Sequence, residues 1–361
     1  MGPIHPCCAG LDVHEKTVVA CARRAGPDGQ VRREVLTSGT VTAELIAPAD
    51  WLDARGVSHV AMESTGVYGK PVFHLLEGRF EVLLVNAHHI KQVPGRRTDL
   101  KDAEWIAQLL RYGSLTPGSI PPPPIRELRD LTRRRAQLAR ERATVVNRIQ
   151  KVPEDASIKL ASVATDVLGA SGRAMLAALV DGGDDPATLA GLARGGLRGK
   201  ASELEPASRG PVTDHHRSLL RAPPEQVAQL EGPIAEHAAR IEEVAAPLAA
   251  AAGRIETIPG VGARAAEAIV AEIGTDMTRF PTAGHLASRA GLCPGNGESA
   301  GGRRGGKTTE GSQWLRTVLV QVAWSASHTK GTTFSATYRK WAKRLGKKKA
   351  PVALGQDPGG L

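Results

Sequence analysis

Four consecutive prolines, Pro121 to Pro124, end a stretch that begins at Pro117 and divides the chain into two unlike parts. Proline fixes φ and has no amide proton, so such a run is a stiff, extended spacer that a helix interior or a central strand cannot absorb. Every segment that reads as a strand lies before it, and the chain beyond it reads as helix. With 361 residues there is room for two or three domains, each with its own core.

Before the prolines, residues 7–24 read as a strand, a tight turn at His14-Glu15-Lys16 and a second strand. A turn at Gly26-Pro-Asp-Gly29 leads into a third strand from Val31 to Leu36. Thr42 to Arg55 has helical spacing, Val57 to Met62 is a strand, residues 67–77 a short helix and Phe80 to Val85 a buried strand. Three meandering strands followed by alternating helices and strands predict an α/β domain built on a mixed sheet with helices on both faces. This is the element order of a ribonuclease-H-like fold.

The next stretch, Thr98-Asp-Leu-Lys-Asp-Ala-Glu-Trp-Ile-Ala-Gln-Leu-Leu110, carries the densest signal. Leu100, Ala103, Ile106, Ala107 and Leu110 form an apolar stripe at helical period, and Asp99 and Asp102 stack one turn apart. Two readings fit these acids. They can favour the helix dipole behind a Thr98 N-cap, or they can hold a divalent metal beside phosphate oxygens. Upstream, Asp12 ends the first strand and Glu63 the fourth. If those strands are neighbours, the two acids meet at one sheet edge, and the helix can bring Asp99 and Asp102 onto them. Four carboxylates that close would repel unless cations neutralised them, so the arrangement implies one or two Mg²⁺ ions.

Beyond the prolines, a basic helix from about Ile125 to Val152 repeats Leu131, Leu138, Val145 and Val152 every seven residues, with Leu128 and Ile149 in the companion seam. Arg135 and Arg142 interrupt it. The pattern suits an arm that pairs with another helix on one side and turns its arginines to a polyanion on the other, and equally a solvated amphipathic helix. Residues 155–250 are helical segments without a recognisable motif. Ile255-Glu-Thr-Ile-Pro-Gly-Val-Gly262 then precedes a helix from Ala263 to Ile273. Pro259, Gly260 and Gly262 make a turn like that of a helix-hairpin-helix, which offers backbone N–H groups to a DNA phosphate. The same glycines match a loose dinucleotide pattern, but no strand precedes them.

The glycine-rich loop from Gly291 to Thr309 contains Ser299, followed by Arg303, Arg304 and Lys307, with Arg316 on the helix around Trp314 to Ala326. A serine becomes a nucleophile when a group takes its proton and cations balance the phosphate it attacks. The other reading is a solvated serine in a basic flap. Gly301-x-x-x-x-Gly306-Lys307-Thr308 matches a P-loop letter for letter, yet loop-forming residues precede it where a buried strand is required.

The net charge of +10 and pI near 9.7 point to nucleic acid as partner. No apolar run approaches transmembrane length, no signal-peptide segment is evident, and Pro6 breaks the myristoylation pattern, so a membrane partner is not expected. Cys7, Cys8, Cys21 and Cys293 form no zinc pattern or disulfide framework and suit a reducing cytoplasm. Aromatics make up only 3% of the chain, which favours phosphate contacts over broad base-stacking platforms.

Taken together, Gly10-Leu-Asp12-Val-His14, Glu63-Ser-Thr-Gly-Val-Tyr68, Leu84-Val-Asn86, Thr98 to Trp105, Ile258 to Gly262 and Glu298-Ser-Ala-Gly301 through Trp314-Leu-Arg316 resemble the DEDD-type insertion-sequence transposases, relatives of the Piv-like DNA invertases. The resemblance implies a RuvC-like domain over residues 1–116 in which Asp12, Glu63, Asp99 and Asp102 bind Mg²⁺. It implies a boundary, arm and helical linker over 117–250, and a C-terminal transposase domain over 251–349 whose Ser299 attacks DNA to form a phosphoserine link. It further implies DNA as substrate, a homo-oligomer (dimer or tetramer), bacterial nucleoid-associated localisation and, as in many members, a structured guide RNA from the element. The rival readings are a decayed copy that only binds nucleic acid and a RuvC-like metal-dependent junction nuclease. The chain departs from the family at Gly69, where tryptophan is frequent. It departs again over residues 350–361, which are expected to lack regular structure where relatives continue into an apolar helix.

Overall fold

The computed structural model describes residues 2–26, 30–63, 66–85, 102–118, 120–294, 298–299, 302–303 and 308–356, with the backbone alone at 298–299 and 302–303. It divides into two compact units, residues 1–120 and 121–361.

The first unit is a five-stranded mixed sheet in the order β3-β2-β1-β4-β5. Strands β1 (Cys7–Val13), β2 (Thr17–Ala25) and β3 (Val31–Gly39) form an antiparallel meander. Strands β4 (His59–Glu63) and β5 (Glu81–Val85) extend it in parallel from the other side of β1. The side-chain period of two gives β1 two buried faces. Leu11 and Val13 join Val60 and Met62 of β4 in a core beneath helices α1 (Thr42–Asp53) and α2 (Gly69–Leu76). Cys8 and Ala61 face the opposite way, under Trp105, Ile106, Leu109 and Leu110 of helix α3 (Asp102–Arg111). Helices therefore cover both faces, and the observed sheet agrees with the strand order expected from the sequence.

The second unit is helical apart from one short hairpin and one isolated bridge among its described residues. Helix α4 (Pro123–Asp155) runs 33 residues. Its start carries prolines where the missing amide proton costs nothing. Short helices α5 (Leu160–Val163), α6 (Ala170–Val180), α7 (Pro186–Gly191), α8 (Ala201–Ala207) and α9 (Asp214–Arg221) follow, and then the long α10 (Pro223–Ala245). Arg142 pairs with Glu231 and Glu127 with Arg240, so α10 lies antiparallel along α4. The partner helix expected for the arm is thus in the same unit. Leu128, Leu138 and Ile149 are fully buried, whereas Leu131, Val145 and Val152 are only partly so.

Helices α11 (Ala249–Glu256), α12 (Ala263–Ile273), α13 (Ala283–Arg289) and α14 (Gln313–His328) share a further core with Val261, Ile269, Leu292, Leu315 and Val322, and α15 (Thr333–Leu345) packs on α14 without a buried residue of its own. The expectation of an unstructured tail needs correction, because Ala350–Gln356 forms helix α16 with Ala350, Pro351 and Leu354 buried. Pro351 falls in the first turn, where proline is tolerated, and the helix packs on α14 with Gly355 against Leu319 and Ala323. No helix among the described residues is long and apolar enough to cross a membrane.

Candidate active site

The acidic edge can be built from the register of the sheet. Leu11 pairs with Met62 across the parallel β1 and β4, so Asp12 and Glu63, one residue further on, end the two strands side by side. Cys8, Gly10 and Asp12 alternate onto the α3 face of β1, and Ala61 and Glu63 onto the same face of β4.

The direction of α3 follows from its contacts. The Arg111 carbonyl accepts from the Ile4 and His5 amides just before β1, the Cys8 thiol lies 3.6 Å from the Ala107 carbonyl, and Gly10 lies beneath Ala103 and Ala107. Helix α3 therefore runs antiparallel to β1, and Asp102 at its start lies at the edge where Asp12 and Glu63 end their strands. Gly10 permits this approach. A Cβ there would fall 2.3 Å from both the Ala103 carbonyl oxygen and the Ala107 amide nitrogen, backbone atoms that cannot swing aside. This positioning residue was not among the expected site residues, although small residues at Gly10, Ala103 and Ala107 are a readable sign of close strand–helix contact.

Asp12 is partly shielded, its side chain 16% exposed, with the exposed His14 imidazole 3.1 Å away. Glu104 of the same helix as Asp102 is structural instead. It is buried against Arg33 of β3 at 2.6 Å and pins α3 to the meander. Asp99 lies outside the described residues. Among the described residues, no three His, Cys, Asp or Glu side chains come close enough together to hold a metal ion. Asp12, Glu63 and Asp102 thus share an edge without forming a cluster tight enough to coordinate. Their chemistry is that of hard oxygen donors, the kind a small divalent cation takes, and no thiol shares the edge. Cys8 and Cys21 lie deeper under α3, where burial foremost pushes their thiols up to about 12 and about 11.

In the second unit Ser299 lies on a two-residue strand, opposite Gly302 in a hairpin that also pairs Glu298 with Arg303. A Pro294–Thr308 bridge closes the loop, and the Thr309 amide donates to the Cys293 carbonyl at 2.8 Å. Arg316 holds the root: its guanidinium donates to the carbonyls of Ala290, Gly291 and Thr309. Gly291, at φ +64°, and Gly311 meet so closely there that neither has space for a Cβ. Arg316, expected to contact nucleic acid, also braces the root of the serine loop. Arg304 and Lys307 lie outside the described residues, as does the Arg303 side chain.

The arm residues are engaged within the helical unit as well. Arg135 is 8% exposed and donates to Glu267 of α12 at 2.7 Å, and Arg142 donates to Glu231 of α10 at 2.8 Å. Both are engaged by facing helices whose acids the heptad pattern alone could not place. In the turn before α12, Gly260 has φ +90°, and a Cβ there would fall 2.5 Å from the Ala326 amide nitrogen, so this glycine serves packing against α14. Pro259 precedes it, and Gly262 is the exposed N-cap of α12.

A mixed sheet with acids gathered at one edge, joined to a mostly helical remainder, is compatible with a ribonuclease-H/RuvC-like nucleic-acid enzyme. Two family models make the assignment specific. A transposase model of the DEDD IS110 type matches residues 9–155, and the model of the IS116/IS110/IS902 transposase family matches residues 252–339. Together they cover more than half of the chain, which belongs to this family of transposases, enzymes that act on DNA. The comparison with curated proteins returns no match. The DEDD class usually works with a divalent metal, and the hard oxygen donors of the acidic edge have the chemistry such an ion takes.

Proposed function

We propose that the chain recombines DNA through a composite site in which Asp12, Glu63, Asp99 and Asp102 hold Mg²⁺ and Ser299 is the nucleophile. The observation that carries this reading is the placement of Asp12, Glu63 and Asp102 on one face and at one edge of the sheet, with Gly10 seating the helix that brings the third acid there. Bound Mg²⁺ would polarise the phosphate oxygens and stabilise the charge that builds on them. The Ser299 hydroxyl attacks phosphorus, its proton passes to a nearby base, and the bond to the leaving sugar oxygen breaks. The result is a phosphoserine link that a second DNA end resolves. Arg303, Arg304 and Lys307 steady the phosphate, while the Pro259–Gly262 turn and the first turn of α12 act as a helix-hairpin-helix contact to the backbone. A structured RNA that pairs with donor and target DNA, and assembly as a dimer or tetramer, belong to the same reading by family resemblance.

The test is a denaturing assay for a covalent protein–DNA adduct with element-end DNA and Mg²⁺. Ser299→Ala should bind DNA and form none, and Asp102→Asn should fold normally and also form none. Mg²⁺-dependent nicking without any adduct would instead identify a junction nuclease that uses the acids alone. DNA binding with neither activity would identify a chain that only binds.

A further inference from the structure

Within the helical unit, α4, α10, α12 and α14 enclose an open cleft of about 490 Å³. That is the size range of sites that take ligands of nucleotide scale. Alanines line it, Ala136 and Ala139 from α4 and Ala265 and Ala268 from α12, and their small side chains leave the room. Trp314 forms one wall, with the Arg140 and Arg133 guanidinium groups 4.7 and 5.7 Å from its ring centroid, so an entering base would insert beside them or displace one.

Four arginines line the cleft, and their partners divide them. Arg133 donates twice to Glu272, and Arg135 donates to Glu267. Arg140 and Arg264 are exposed and have no ion pair among the described residues. The cleft therefore offers an aromatic face, two cations in surplus, and the Gln321 amide, which can both donate and accept. An apolar occupant would bury those cations unpaired, at a large desolvation cost. The chemistry that satisfies every wall is a flat heterocycle bearing a phosphate.

We propose that this cleft holds a single nucleotide of an unpaired strand, its base stacked against Trp314 and Arg140 and its phosphate held by Arg140 and Arg264. The proposal rests on the reading of the chain as a nucleic-acid recombinase and gives it a single-strand contact within the helical unit. The site lies just after the serine loop in sequence: Trp314 is two residues beyond Ser312, which caps α14 and donates to Glu272 at 2.8 Å. Occupancy of the cleft thus bears on the helix where that loop ends.

The test measures binding of the full chain to a labelled 12-nucleotide single strand, as DNA and as RNA, and to a duplex of the same sequence. Trp314→Ala should weaken single-strand binding about tenfold or more, as loss of one stacked base does, with duplex affinity unchanged. Trp314→Phe should restore most of it, and Arg140→Ala with Arg264→Ala should weaken it and flatten its salt dependence. The strand type that responds, RNA or DNA, identifies the source of the nucleotide. In the unaltered protein, a single strand carrying 5-bromouracil should cross-link at Trp314. Variants that lower single-strand and duplex binding equally, or not at all, with no cross-link at Trp314, would overturn the proposal while leaving the recombinase reading intact. Failure of the unaltered protein to bind any nucleic acid would defeat both.

Discussion

A carboxylate as buried as Glu272, 3% exposed, has to be held by cations, and Arg133 holds it with two hydrogen bonds of 2.7 and 3.0 Å. Burial alone would push its carboxyl up. The bonds and charge of Arg133, the Ser312 hydroxyl and the charge of Arg129 outweigh burial and hold it below the ordinary glutamate value. A carboxyl depressed on folding contributes stability that is present above the ordinary glutamate range and lost as pH falls through the lowered folded value. Glu272→Gln should therefore destabilise the helical unit at neutral pH and blunt the loss of stability on acidification. Removing one partner of a fully buried pair costs about 3–5 kcal/mol, and the one-third exposure of Arg133 brings the expectation nearer ~2 kcal/mol. Denaturant unfolding at pH 7 and pH 4 checks both statements, and equal acid sensitivity in the two proteins would contradict them. Nothing in the local sequence marks Glu272 as special. Its partners come from α4, far back in the chain, and from the cap of α14, so the network exists only after three helices meet.

At the scale of elements, the contact between β1 and α3 decides where Asp102 stands. Gly10→Ala places a methyl group into the helix backbone and should lift α3 from the sheet, with loss of recombination although no acid is altered. Cys8 and Cys21 report the movement directly. Both are buried at this contact with raised thiol pKa values, so alkylation at pH 8 should reach them only when α3 opens. The half-buried Cys293 should label first in the unaltered protein, and Gly10→Ala should speed labelling of Cys8 specifically. Unchanged Cys8 protection in that variant would show that the sheet absorbs the methyl without moving α3. The strands and the main helices of this chain are legible in its sequence because periodicity and turn residues are local signals. Strand β5, α12 and α14 lie close to where their apolar patterns place them. The acidic edge is legible in part, since strand ends follow from the pattern, whereas its depth depends on a glycine that the sequence presents only as part of a motif. The ion pairs of the α4 arginines are illegible for the opposite reason. Their charge is plain in sequence, but the acids that take it up lie on α10 and α12 and cannot be paired with them before the fold is known. The tail misleads because proline and glycine suggest a breaker, while a first-turn proline and a packed Leu354 permit a helix.

At the scale of the whole molecule, the acids and the serine of the proposed site belong to different compact units, Asp12, Glu63 and Asp102 to residues 1–120 and Ser299 to residues 121–361. Between Asp102 and Ser299 the chain passes through α4, whose 33 residues make a rod about 50 Å long. In the proposed reaction the loop serine, with no histidine in its own segment, takes its activation from a metal-bearing site, and that site need not come from its own chain. In a homo-oligomer, each complete site can take its acids from one subunit and its serine from another. Ser299→Ala and Asp102→Asn, each inactive alone, should then regain part of the activity when mixed, because some mixed assemblies contain one site with intact acids and an intact serine. In a random dimer mixture at equal concentrations, half of the assemblies are mixed and each has one good site of two. The adduct should therefore recover to about a quarter of the unaltered level, formed on the Asp102→Asn chain, which alone carries the serine. Tagging the two chains to different sizes makes that assignment visible on a denaturing gel. Recovery with the adduct on that chain supports sharing between subunits. If both variants still oligomerise together and no adduct returns, acids and serine must act within one chain, and the long helix would then need another purpose, the single-strand cleft along its middle being the first candidate.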